Sequence, residues 1–368
     1  MTHAEYMKFA INLAKNGCGF TNPNPMVGAI IVKDGNIIGS GHHQRYGELH
    51  AERNALANVT RSPEGSTLYV TLEPCCHYGK TPPCTEAIIE AKIKTVVVGS
   101  LDPNPLVAGN GIRILRENGI EVITGVLEDE CNKLNEVFLH FIKTKTPYVV
   151  MKYAMTLDGK IATHLGKSKW ITAEPAREHV HLSRHKYSAI MVGVNTVIAD
   201  NPQLTCRIPT GKNPIRIICD TNLRIPLDSA IVTTAKEVPT YIASACEDND
   251  KIQQLTELGC KVITVPLADR HIDLNILMQL LGEKNIDSIL LEGGSSLNFS
   301  ALNSGIVNKI QAYIAPKIFG GTDAKTPVGG MGVDTPNDCF KLINREVTFL
   351  GQDILIEYEV ENNVYRHS

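Results

Sequence analysis

His50-Ala51-Glu52, followed by Pro74-Cys75 and then Cys84, sets one imidazole and two thiols beside a carboxylate. These are zinc donors, and three protein ligands leave a fourth position for water, the arrangement of a catalytic rather than a structural site. Zinc lowers the pKa of bound water to about 7, which makes a nucleophile available at neutral pH. Glu52, two residues from the imidazole, is then placed to move protons between that water, a substrate ring and a departing amine. The H-x-E…P-C…C order is the pattern of zinc-dependent deaminases. The residues therefore point to hydrolytic deamination of a heterocycle.

Singly, these fragments carry little weight. An H-x-E tripeptide occurs by chance, and cysteines are commonly buried as small hydrophobes. Their context is what raises them. Ala51, Ala55, Leu56 and Val59 repeat at helical spacing, so His50 and Glu52 open a helix. Thr67 to Leu72 (TLYVTL) predicts a buried strand ending just before Cys75, and Thr85 to Ile89 predicts a helix directly after Cys84. The cysteine loop departs from the compact P-C-x-x-C form. It reads Pro74-Cys75-Cys76-His77-Tyr78-Gly79-Lys80-Thr81-Pro82-Pro83-Cys84, which leaves Cys76 and His77 open as further donors and offers His77 and Lys80 to a substrate.

The elements around the motif alternate. A helix with Tyr6, Phe9, Ala10 and Leu13 at its apolar positions precedes Pro23-Asn24-Pro25. Strands are expected at Met26 to Val32, Ile37 to Gly41, Thr67 to Leu72, Thr95 to Gly99 and Glu121 to Gly125, with a helix over Gly111 to Asn118. Alternation of this kind implies a sheet covered by helices on both faces. Lys143-Thr144-Lys145-Thr146-Pro147 marks a boundary, giving domains 1–145 and 146–368. Beyond it the rhythm restarts, with strands expected at Tyr148 to Tyr153, Ala189 to Val192, Ile215 to Cys219, Thr240 to Ala243, Lys261 to Val265, Ser288 to Leu291, Lys309 to Ile314 and Asp353 to Val360.

At 368 residues the length suits two domains. No apolar run approaches the roughly 18 residues of a membrane span, and residues 1–17 lack a signal-peptide core. Ten cysteines scattered along a long chain fit reduced thiols and a cytoplasmic location. The net charge of −3, without a Lys/Arg stripe interleaved with aromatics, weighs against a nucleic-acid partner. A small-molecule substrate is expected, and no membrane partner.

The second half carries its own chemistry. Leu290-Leu291-Glu292-Gly293-Gly294-Ser295-Ser296 reads as strand, glycine turn and helix start, a place where a backbone can approach a phosphate. It is not G-x-G-x-x-G, so the dinucleotide fingerprint is absent. Lys152 to Ala162 and Gly193 to Arg207 each run from a strand into a polar loop. Ligands of α/β sheets sit where such loops converge.

Taken together, Pro23 to Gly28, His50-Ala51-Glu52, Glu73 to Cys84, Lys152 to Thr163, Gly193 to Arg207 and Glu292-Gly293-Gly294 resemble one family along essentially the whole chain. It is the family of bifunctional bacterial enzymes of riboflavin biosynthesis, in which a pyrimidine deaminase is fused to a reductase. The long cysteine loop is part of that resemblance. The resemblance implies an α/β protein of two three-layer domains, a cytidine-deaminase-like mixed sheet and then a dihydrofolate-reductase-like sheet. It implies zinc and NADPH as cofactors, a phosphoribosylated diaminopyrimidinone as substrate, and a homo-oligomer. Deamination would come first, with Glu52 as catalytic residue and His50, Cys75 and Cys84 on the metal. Asn24, His42, His77 and Lys80 would hold the ring and its ribose phosphate.

Reduction of the ribosyl group to a ribityl chain would follow. By the same motif match, Ala154, Trp170, Thr196, Asp200 and Thr221 would meet the cofactor. The turn Gly294, Ser295, Ser296, Leu297, Asn298, Phe299 and Ser300 would cradle its pyrophosphate. Ser168, Arg184, Leu204, Arg207 and Glu292 would meet the substrate, the two guanidinium groups matching a sugar phosphate. Two other readings compete: a deaminase of nucleosides or tRNA carrying a binding module, and a nucleotide-sensing regulator with a structural zinc.

Overall fold

The computed structural model describes residues 1–79, 82–104 and 107–361. The chain divides into two compact units, Met1–Lys145 and Thr146–Ser368. No helix among the described residues is long and apolar enough to cross a membrane.

The N-terminal unit opens with helix α1 (His3–Ala14), started by Thr2, which accepts the Glu5 N–H while the Glu5 carboxylate accepts the Thr2 N–H. Strands β1 (Gly28–Lys33) and β2 (Asn36–His42) form a hairpin and lead to α2 (Ala51–Ala57). Then come β3 (Thr67–Leu72), α3 (Cys84–Glu90), β4 (Thr95–Ser100), α4 (Asn110–Glu117), β5 (Glu121–Thr124), α5 (Glu128–Leu134) and α6 (Glu136–Thr144).

The sheet order is β2-β1-β3-β4-β5, antiparallel at β1 and parallel across β3, β4 and β5. Strand alternation sorts its side chains between two cores. Ala29, Ile31, Leu68, Val70, Val96 and Val98 pack with Ala51, Ala55, Ile88, Ile112 and Leu115 of α2, α3 and α4. Ile30, Val32, Tyr69 and Val97 face Tyr6, Met7, Ala10 and Ile11 of α1 and Cys131 of α5. Both faces are covered, so β4 (TVVVGS) is buried at every position.

The C-terminal unit follows the same logic on a larger sheet. Its elements are β6 (Tyr148–Thr156), α7 (Glu174–Lys186), β7 (Ala189–Gly193), α8 (Val194–Asp200), β8 (Ile215–Cys219), α9 (Ala230–Thr233), β9 (Thr240–Ser244), α10 (Asn249–Glu257) and β10 (Lys261–Thr264). A small ribbon, β11 (Leu267–Ala268) and β12 (His271–Ile272), precedes α11 (Leu274–Glu283), β13 (Ser288–Leu291), α12 (Ser295–Asn303), β14 (Val307–Ala315), β15 (Leu342–Leu350) and β16 (Asp353–Val360).

The nine strands run β10-β9-β8-β7-β13-β6-β14-β16-β15, parallel up to β14 and antiparallel beyond it. Leu277, Met278 and Leu281 of α11 and Ala301 of α12 pack on one face. Val197 of α8, Ile231 of α9 and Leu255 of α10 pack on the other. Among the elements not expected from the sequence are α5, α6, the β11–β12 ribbon and the edge strand β15. The last is exposed along nearly all its length, so it carries no buried alternation to read.

Candidate active site

In the N-terminal unit, three elements deliver three donors to one point. His50 is the N-cap of α2, Cys75 follows the end of β3, and Cys84 is the first residue of α3. Helix α2 reaches this position because β2 lets it approach closely. A Cβ at Gly41 would lie 2.4 Å from the Ala55 nitrogen. The His50 Nδ1 lies 3.4 Å from the Cys75 Sγ and 3.5 Å from the Cys84 Sγ. Tetrahedral zinc with metal–sulphur and metal–nitrogen bonds of roughly 2.3 and 2.0 Å needs about 3.5 Å between nitrogen and sulphur. The donor set therefore fits zinc in type and in spacing. It is the one group of three potential ligands brought together among the described residues, and Cys76 and His77 lie outside it.

The electrostatics match a cation site. Cys75 is held as thiolate by hydrogen bonds from the Cys84 thiol and the His50 ring, and the hydrogen bond to Cys75 raises the His50 pKa. Glu52, in the first turn of α2, is 3 % exposed. Burial pushes its carboxyl up to about 7, and the Cys75 charge adds to the effect. A carboxyl poised near neutrality can take and return a proton at working pH.

His50, Glu52 and Cys75 line a cavity of about 270 Å³ together with Asn24, His43, His77, Asp102, Asn104 and Phe138, with Cys84 buried behind them. His43, not the expected His42, faces the cavity. Gly41 presses on α2, and His43, two residues on, falls on that same side, whereas His42 alternates to the other. His43 is buried, lies 3.2 Å from the Asn24 amide through Nε2, and meets the Leu49 carbonyl at 3.0 Å through Nδ1. The His77 Nδ1 is buried without a hydrogen-bond partner among the described residues, an orphaned polar atom inside the cavity wall. Lys80 lies outside the described residues.

Asp102 and Asn104 were missed from sequence. They sit just beyond β4, where ligands of α/β sheets collect. Burial raises the Asp102 pKa to about 6. Asn135, equally unforeseen, brackets the Met26 backbone, accepting its N–H and donating to its carbonyl, and so fixes the chain next to Asn24.

The C-terminal unit gathers its polar residues at the carboxyl ends of β6, β7 and β13. Gly294 is the N-cap of α12 with no side-chain cap, so the first N–H groups of that helix face outward. Thr196 of α8 stands 3.8 Å from where a Gly294 Cβ would be. A bare helix start beside a glycine turn is a fit for a diphosphate. Ser296 is exposed on this turn, and Ser295, Leu297, Phe299 and Ser300 are half-buried. The Asn298 side chain is buried and donates through Nδ2 to the Pro327 carbonyl, while its Oδ1 lies against Gly293 of the turn without a hydrogen-bond partner among the described residues. Ala154 on β6 and Thr221 beyond β8 are half-buried, and Asp200 is exposed at the end of α8. Trp170 is exposed, with Arg177 over its ring at 4.8 Å and its carbonyl held by Lys317 at 3.0 Å. Ser168 is half-buried close by in sequence.

The substrate residues divide. Arg184 donates through Nε (2.7 Å) and Nη2 (3.0 Å) to both oxygens of Glu292 and through Nη1 to the Thr205 carbonyl, so its guanidinium is occupied within the protein. Lys152 adds a second cation at 3.5 Å from Glu292. Arg207 is exposed, with its Nε 3.2 Å from His181 Nε2 and no ion pair to a carboxylate among the described residues. The Leu204 side chain is packed into the core, which leaves its backbone to meet a ligand.

Burial alone would raise the Glu292 pKa, but Arg184 and Lys152 outweigh it and hold the carboxyl at about 2 instead of 4.5. The stability this cluster contributes is therefore complete above about pH 4.5 and is lost as pH falls toward 2. Glu292→Gln leaves two buried cations without a counter-charge, and should cost roughly 3–5 kcal/mol at neutral pH. Urea midpoints at pH 7 and pH 3 check this. The gap to wild type should be wide at the first pH and much smaller at the second.

Comparison with known proteins follows the two units. Residues 1–100 match the family model "Cytidine and deoxycytidylate deaminase zinc-binding region", and residues 147–356 match "RibD C-terminal domain". The chain is 56 % identical over 360 residues to the riboflavin biosynthesis protein RibD of Actinobacillus pleuropneumoniae, covering 98 % of this chain and 96 % of the relative. A crystal structure from Thermotoga maritima, described as a diaminohydroxyphosphoribosylaminopyrimidine deaminase/5-amino-6-(5-phosphoribosylamino)uracil reductase, superposes with a TM-score of 0.86 at 41 % identity, covering 97 % of this chain and 98 % of that one. Acinetobacter baumannii RibD superposes with a TM-score of 0.88 at 38 % identity and the same coverage. The chain belongs to the RibD family of riboflavin biosynthesis proteins, enzymes that carry out a zinc-dependent deamination followed by an NADPH-dependent reduction.

Proposed function

We propose that the unit 1–145 removes the 2-amino group of 2,5-diamino-6-(5-phosphoribosylamino)pyrimidin-4(3H)-one, and that the unit 146–368 reduces the ribosyl group of the product to ribityl phosphate. The observation that carries the first half is the convergence of His50, Cys75 and Cys84 at the wall of a cavity that buried Glu52 also lines. The two activities in the description of the Thermotoga maritima relative support the pairing and the substrate.

His50, Cys75 and Cys84 would hold zinc, which when bound lowers the pKa of a coordinated water to about 7. Glu52 carries the protons, first to the ring nitrogen next to the reacting carbon and then to the departing ammonia. Its position between a thiolate and a buried wall keeps it protonable near neutral pH. Asn24 and His43 orient the ring edge, and His77, Asp102 and Asn104 close the cavity around the polar substituents.

In the second unit, NADPH when bound supplies the hydride. The Gly294 turn and the start of α12 bind its diphosphate, with Thr196 facing the turn. Arg207 takes the sugar phosphate, while Arg184 holds Glu292 in place. Reaction then depends mainly on positioning. A homo-oligomer and a cytoplasmic location belong to the same reading. Exposed Val347 and Phe349 on edge strand β15 support the first, and the ten cysteines scattered along the chain support the second.

The test follows ammonia and NADPH together with the phosphoribosyl diaminopyrimidinone. Ammonia should appear without NADPH, and NADPH oxidation should match it once the cofactor is added. Ammonia from nucleosides or tRNA instead, with none from this substrate, overturns the reading. Arg207→Ala should raise KM for reduction about tenfold or more, the equivalent of one charge-assisted phosphate contact of ~1.4 kcal/mol. Ammonia release should be unchanged; equal losses in both reactions would place the phosphate contact elsewhere.

A further inference from the structure

Glu73 directly follows β3, two residues before Cys75, and it is 3 % exposed. A carboxylate buried this deeply must be matched by donors. Its hydrogen-bond donors among the described residues are three main-chain N–H groups: Gly109 at 3.0 Å and Asp102 at 3.4 Å to Oε2, and Ile112 at 3.3 Å to Oε1. Gly109 is the N-cap of α4 and Ile112 lies in its first turn. That helix has no side-chain cap of its own, so Glu73 serves as its cap from a different element.

The fit is close on the other side too. A Cβ at Gly111 would lie 2.2 Å from the Pro74 carbonyl oxygen and 3.2 Å from Glu73 Oε1. The start of α4 is therefore seated on the dipeptide just before the metal ligand. Three residues tied into this arrangement, Asp102, Asn104 and Val107, line the same cavity as His50 and Glu52. The Asn104 N–H donates to Asp102 Oδ1 at 2.8 Å, which carries the order from the Glu73-bound amide into the cavity wall.

We propose that Glu73 is a positioning residue for the deamination: it fixes Asp102 and Asn104 against the pyrimidine and thereby sets substrate affinity, without holding the metal. Glu73 itself borders the cavity, but both of its oxygens accept from these backbone amides, and it is through them that it orders the wall. This rests on the reading that the N-terminal unit deaminates the phosphoribosyl pyrimidine.

The test uses the full zinc-loaded chain as wild type, Glu73→Gln and Glu73→Asp. Four quantities are measured: zinc content, steady-state ammonia release, NADPH oxidation with already deaminated substrate, and amide hydrogen exchange over residues 101–113. For Glu73→Gln we expect KM for deamination to rise about tenfold, ~1.4 kcal/mol in binding, with kcat within about threefold. Exchange at the Asp102, Gly109 and Ile112 amides should quicken about tenfold, the same free-energy scale. Zinc content and NADPH oxidation should match wild type. Glu73→Asp, which keeps the charge and shortens the reach, should recover part of the KM, and it carries the comparison if Glu73→Gln does not fold.

Loss of zinc would make Glu73 a support of the metal loop and overturn the proposal. So would a fall in kcat at unchanged KM, or unchanged exchange at the three amides. Absence of ammonia from wild type would instead sink the functional reading, while hydrogen exchange still decides whether Glu73 holds these amides.

Discussion

Glu52→Gln should release ammonia about 10²–10⁴-fold more slowly than wild type, the range that a positioned proton carrier contributes. The amide has the same shape as the carboxyl, so the buried first turn of α2 keeps its packing. Glu52 is not one of the three donors that come together, so zinc content should be unchanged. Reduction of already deaminated substrate should also persist, because the residues assigned to it lie in the other unit. Metal analysis, ammonia release and NADPH oxidation on one preparation separate these outcomes. Retained deamination would remove Glu52 from proton transfer and revive the regulatory reading, in which zinc is structural. Loss of zinc would show that the carboxylate supports the metal after all.

Cys75→Ser should bring zinc to background and abolish ammonia release. A hydroxyl is a poor zinc donor, and the remaining His50 and Cys84 make only two of the three contacts. Metal bound to the native state adds stability that grows with the ratio of free metal to Kd, about 4 kcal/mol at a thousandfold excess. Wild type should therefore melt at a higher temperature with added zinc and at a lower one with a chelator, and Cys75→Ser should respond to neither. Here too NADPH oxidation is the internal control. Full zinc occupancy in the variant would take Cys75 out of the metal site.

Much of this arrangement was legible in the residues. The spacing of His50, Glu52, Cys75 and Cys84 called for a helix start, a strand end and a second helix start, and α2, β3 and α3 supply them. Buried strands such as TVVVGS and SILL announce themselves by composition, because both faces of their sheets are covered. The edge strand β15 does not, since its side chains face solvent. His42 and His43 show the limit of motif reading. Neighbours in sequence point to opposite sides of a strand, and only the packing of Gly41 on α2 says which side holds the cavity. Arg184 shows it again, because a guanidinium suited to phosphate is taken by a carboxylate 108 residues away.

By itself, then, the sequence pointed to the chemistry: the candidate zinc donors, the carboxylate beside them, the two-unit order and the glycine turn before α12. Residue type and local spacing suffice for these, because donors near a helix or strand end are placed by that element alone. The tertiary structure decided which groups share the cavity and which are spent on each other. It brought Asp102, Asn104 and Phe138 to the metal donors, turned His43 in and His42 away, and set Glu73 under the start of α4. The reason is physical: a buried charge must find its partners wherever the fold brings them, and those partners lie at sequence distances that no local pattern records.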